Sequence, residues 1–168
     1  MPDQNPHPVN RPATLVVCIG NELVADDAVG YHIYRQLQQQ NMSEKIRLEY
    51  CAVGGIILLE LLSGAEKLLI VVDAVQLGAL PGTLHIIPWE KLPVNKEHAV
   101  SAHGIGLKDT IAIGQTLYPE RIPERIILIG VEGQCFDQLG GEMTPQVKAA
   151  IPAAIRAIHR KIQEEADE

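Results

Sequence analysis

The chain has 168 residues, room for one domain with a sizeable core, and 46% are hydrophobic against 21% charged, as in ordinary globular proteins. A formal charge of −7 with no basic tract argues against broad, salt-driven binding to nucleic acid. No apolar run approaches the length of a membrane span.

Residues 1–13 are rich in Pro and Asn and lack the apolar core of a signal peptide. They are expected to form a flexible tail on a cytoplasmic protein. Three cysteines, Cys18, Cys51 and Cys135, show no metal-like spacing, and an odd count gives no reason to invoke disulfides. Cys18 and Cys51 fall in apparent strands and read as small buried hydrophobes. Aromatics are only 4%, so the core must be built of Ile, Leu, Val and Ala.

The first element, residues 15–19, is a short β-branched run without charge, suited to a strand buried on both faces. A loop over 20–27 follows, ending in the adjacent acids Asp26 and Asp27. Val29, Ile33 and Leu37 then recur at helical spacing. Neighbouring helix residues do not face the same way, so if Asp26 caps this helix, Asp27 points elsewhere. The simpler alternative is that both acids merely favour the positive helix end.

Residues 46–53 read as a second strand broken by Gly54-Gly55, and Ile57, Leu58, Leu61 and Leu62 suggest a short helix. Residues 68–73, LLIVVD, are the most hydrophobic run and hence a central third strand ending in Asp73. A Gly- and Pro-containing loop leads to a fourth strand over 83–87. The spacing is too short for a crossover helix, so this strand is expected to run antiparallel at an edge.

Residues 88–100 look irregular, and Ser101 is a candidate N-cap for a helix carrying Leu107, Ile111 and Leu117. Residues 125–131 form the fifth strand. Thr144-Pro145 starts the last helix, and Pro152 inside it predicts a kink or break near Ile151. The acidic end, 164–168, is expected to fray. Alternating strands and helices predict an α/β fold, a three-layer α/β/α sandwich around a mostly parallel five-stranded twisted sheet, with one domain over 14–163.

Ligands of such sheets bind beyond the carboxyl ends of the strands. Asp27, Asp73 and His103 fall at equivalent places in this topology. Two carboxylates and an imidazole make a facial set for a divalent ion such as nickel, zinc, iron or manganese, with coordination positions left open. Each also has a plain structural reading: Asp73 as a turn residue at a strand end, His103 as a surface residue of a helix start. There is no dinucleotide fingerprint, phosphate loop or nucleophile elbow. His32 and His85 lie beside no expected acid, and His98 reads as a rim residue. Asp27 and Asp73 could share a proton as a pair of aspartic-protease type if they approach closely.

The stretch CIGNELVADDAVG resembles the signature of the endopeptidases that mature NiFe-hydrogenase large subunits: a strand, Gly-Asn, a few residues, Asp-Asp or Asp-Glu, then Gly. VVDAVQLGALPGTLHII is similar to that family's second block, and SAHGIGLKDTI to its third, a Ser-x-His at a helix start. The Gly54-Gly55 turn and LGGEMTPQVKAAIPAAI match as well, so the likeness spans nearly all of 14–158.

The resemblance implies a protease that removes a C-terminal extension from a hydrogenase large-subunit precursor once nickel is seated. Asp27, Asp73 and His103 would be both the catalytic and the metal-contacting residues. It implies no permanently bound cofactor: the nickel is presented by the substrate, although zinc or cadmium could occupy the same site. The implied partner is the precursor, with no nucleic acid and no membrane. The alternatives are a non-catalytic accessory factor that binds nickel or precursor, and a small-molecule hydrolase on a similar scaffold. Two departures stand out: many members carry Glu where Asp27 stands, and an acid is common at the position of Gln76.

Overall fold

A computed structural model describes residues 13–92 and 106–168. Five strands, β1 (Thr14–Ile19), β2 (Ile46–Cys51), β3 (Leu68–Val75), β4 (Leu84–Pro88) and β5 (Arg125–Glu132), form one sheet in the order β2-β1-β3-β5-β4. All neighbours are parallel except β4, which runs antiparallel to β5 at the edge. Both expectations for β4 therefore hold: its direction and its edge position.

The helices are α1 (Val29–Gln38), α2 (Ile57–Leu61), α3 (Leu107–Leu117) and α4 (Pro145–Ala166). Strand residues pointing to one face, such as Val16, Cys18, Ile70 and Val72, pack under α1 and α4. Those pointing to the other, such as Leu15, Val17, Leu69 and Val71, pack under α2 and α3. This is the expected three-layer sandwich. Because β1 and β3 are sandwiched from both sides, every residue in them is buried, which is why they show no polar alternation.

Three local expectations need correction. The third strand does not end at Asp73 but runs on to Val75, with Asp73 paired to Gly130 and Val75 to Glu132. The partner strand β5 is as long, so the ladder carries the aspartate inside it. Helix α4 passes through Pro152 without a break. Pro152 lies on the exposed side of the helix, where water can satisfy the carbonyl that loses its N–H partner. Nor does the acidic end fray: α4 is helical to Ala166, and Arg125 Nη1 lies 2.8 Å from Glu165 and 2.5 Å from Glu168.

Of the expected tail, 1–13, only Ala13 is among the described residues, and its backbone bonds Lys45 and Lys67. No described helix is long and apolar enough to cross a membrane.

Candidate active site

The loop after β1 is shaped by two glycines and an asparagine. A Cβ on Gly20 would stand 2.1 Å from the Asp27 carbonyl oxygen, and one on Gly30 would stand 1.9 Å from that of Ile19. Only glycine lets the chain fold back so tightly at these two points. Asn21 then makes the turn: its side-chain oxygen accepts the Leu23 N–H at 3.0 Å, and its own N–H donates to Asp27 Oδ2 at 2.9 Å. Tyr50 pins the loop from β2 by donating its hydroxyl to the Gly20 carbonyl at 2.7 Å.

Asp27 itself sits in a one-turn 3-10 helix, Ala25–Ala28, just ahead of α1, and is 3% exposed. A buried carboxylate at the carboxyl end of a central parallel strand matches the expected position. Asp73 is 1% exposed on the neighbouring strand, one residue beyond Val72, the partner of Cys18. It alternates with Val71 and Val75 and so faces the α2 and α3 layer. There it raises the pKa of the Cys51 thiol, after the larger effect of burial. Cys51 is thus held as an inert thiol beside the site.

The third expected member, His103, lies outside the described residues, as do His98 and Ser101. Helix α3 starts at Leu107 with Gly106 at its N-cap. Among the described residues no three His, Cys, Asp or Glu side chains group to hold a metal.

Asp26 does something the sequence does not suggest. No side chain caps α1 or the turn before it. Asp26 is fully buried and reaches across the fold. Its Oδ2 accepts the N–H groups of Gln134 and Cys135 at 2.8 and 2.9 Å, and its Oδ1 accepts that of Thr144 at 2.7 Å. It ties the β1 loop to the β5–α4 loop, a role that replaces the expected cap.

A second buried carboxylate, Glu132, is equally structural. It accepts the N–H groups of Leu77, Gly78 and Ala79 and lies 2.8 Å from His85 Nε2. The expectation that His85 stands beside no acid is therefore wrong. The acid came from the neighbouring strand β5, and only the β4–β5 pairing brings it there. Glu132 fixes the β3–β4 loop, so the loops after β1, β3 and β5 are all held by internal carboxylates.

A family model described as hydrogenase maturation protease matches residues 31–161, a span that includes Asp73 and begins beyond Asp27. The hydrogenase expression/formation protein HupD of Thiocapsa roseopersicina is 33% identical over 86% of this chain. The chain spans 65% of the length of that protein. HoxM of Azotobacter vinelandii is 31% identical, with 88% of this chain and 71% of that protein covered. The solved structure of the hydrogenase maturating endopeptidase HybD from Escherichia coli superposes with a TM-score of 0.77 at 27% identity, covering 90% of this chain and 93% of that one.

Proposed function

The chain belongs to the hydrogenase maturation protease family, and from that premise we propose that it cleaves the C-terminal extension from a NiFe-hydrogenase large-subunit precursor after nickel insertion. Asp27, Asp73 and His103 contact the nickel seated in the substrate, so the metal arrives as part of the substrate. The observation that carries this reading is the pair of buried acids, Asp27 in the turn that follows β1 and Asp73 near the carboxyl end of the adjacent strand β3, the end at which such sheets bind ligands.

Peptide hydrolysis needs a water relieved of a proton, a polarised scissile carbonyl and a protonated leaving amine. The Asn21 N–H holds one oxygen of Asp27 and so fixes the direction of the other. A carboxylate held this way can take the water's proton and later return it to the amine. Nickel in the precursor would polarise the carbonyl or position the chain, and either use requires it to be seated before cleavage.

The test offers the protein the same precursor with and without nickel and follows release of the C-terminal peptide by mass spectrometry. Release from the loaded form alone is expected. Equal release from both forms would remove nickel from the reading. No release from a precursor confirmed as loaded would leave a non-catalytic binding factor.

A further inference from the structure

Most of the exposed large apolar side chains among the described residues gather at one end of the sheet, with Leu117 and Tyr118 apart from them at the end of α3. Leu23, Val53, Ile56, Leu80 and Leu139 are 58%, 56%, 49%, 81% and 77% exposed, and all lie in segments that follow the carboxyl ends of β1, β2, β3 and β5. Leu23 and Leu139 form a preset knob. Val24 and Leu139 make an antiparallel bridge, and the Gly140 N–H donates to the Leu23 carbonyl at 2.6 Å. Asp26 holds the two loops together beneath it. Side chains presented on a rigid backbone lose little entropy when covered, as a docking surface requires.

The described loops at this end of the sheet are acidic, with Lys148 of α4 beside them. The loops 20–28, 52–56, 76–83 and 133–144 contain no Lys or Arg, while Glu22, Asp137 and Glu142 are exposed in them. Lys45, Lys67 and Arg125 stand at the opposite ends of β2, β3 and β5. A groove of about 460 Å³ opens beside the knob, with Glu22, Ala25, His32, Glu142, Met143 and Lys148 in its walls.

We propose that this rim, centred on Leu23 and Leu139, is the docking face for the protein substrate, and that it takes a segment carrying apolar side chains flanked by Lys or Arg. The proposal rests on the proteolytic reading above and adds the chemistry of the surface being recognised. An apolar centre beside predominantly acidic loops gives affinity through burial and orientation through the charges. Asp27 closes the same loop that carries Leu23, and Asp73 stands on the adjacent strand β3, so a partner seated on the knob is held at the end of the sheet that carries both acids.

The test measures binding to uncleaved precursor by biolayer interferometry, and peptide release separately. The double variant Leu23→Ser/Leu139→Ser should weaken binding about tenfold or more and raise KM to match, with kcat retained. Leu117→Ser, an exposed apolar change on α3 away from the rim, should leave both values unchanged. The triple variant Glu22→Gln/Asp137→Asn/Glu142→Gln should make affinity less dependent on salt. All replaced side chains are exposed, and thermal melts confirm that each variant is folded.

Unchanged affinity in the double variant would overturn the proposal, and an unaltered salt slope would overturn its basic component. So would sedimentation of the wild type as a dimer that the double variant loses, since the knob would then seat a second copy. A wild type that binds precursor but releases no peptide removes the proteolytic reading and leaves the docking face standing. A wild type that does not bind removes the docking face.

Discussion

Asp26 carries the sharpest prediction. Replacing it with Ala removes a buried carboxylate that accepts three backbone N–H groups from residues more than 100 positions away. Each hydrogen bond to a charged group contributes about 1.5–3 kcal/mol. Water entering the gap recovers part of that sum, so the expected loss is about 3–5 kcal/mol. A helix cap would cost only about 1 kcal/mol. Urea unfolding followed by circular dichroism gives the total, and hydrogen exchange locates it. The Gln134, Cys135 and Thr144 amides should exchange faster in Asp26→Ala, while amides in β1 and β3 fall only with global stability. Asp26→Asn, which keeps one acceptor oxygen, should lie between the wild type and Asp26→Ala. A loss near 1 kcal/mol, with those three amides still protected, would refute the tether.

Asp27→Asn should abolish peptide release while costing less stability than Asp26→Ala, because asparagine keeps the side chain's shape and one acceptor oxygen whereas Asp26→Ala removes the whole group; normal processing would return Asp27 to a structural role. Gly30→Ala drives a methyl into the Ile19 carbonyl and should destabilise by about 3 kcal/mol in the same urea assay, with a neutral result showing that α1 can lift off β1. Burial pushes the Glu66 carboxyl up, but the Ser63 hydroxyl and N–H and the Arg47 guanidinium outweigh it, so its pKa lies below the ordinary 4.5. A group depressed in the folded state stabilises above its ordinary pKa and loses that contribution as pH falls through the folded value. Glu66→Gln should therefore flatten the fall of melting temperature below pH 4.5, and parallel curves for the two proteins would contradict this.

How much could be read from the sequence follows the range of each interaction. An uncharged β-branched run announces a strand covered on both faces, and residues 15–19 proved to be one. The short link between the third and fourth strands excluded a crossover, so the antiparallel edge was readable as well. Asp73 was misread as a strand terminus, because a charge after five apolar residues looks like an end. Nothing local shows that β5 continues the ladder past it. The roles of Asp26 and Glu132 were illegible for the same reason: their partners lie on other strands and loops, 108 to 118 and 47 to 55 residues distant. Pro152 was overweighted, since the rule against proline inside helices is strict only where the freed carbonyl is denied water.

Among the described residues no further strand pairs with β2 or β4, the sheet's two margins, and this has a consequence for handling the protein. An unpaired strand edge invites a neighbouring molecule to add itself, the first step toward aggregation. At one margin β4 ends on Pro88, which has no N–H to offer. At the other, β2 carries Arg47 and Glu49, paired at 3.5 Å, so a strand arriving alongside would meet charge on both sides of a residue gap. A molecule with an exposed apolar rim on one end is thereby protected along its flanks, and self-association at high concentration is steered away from β-sheet extension.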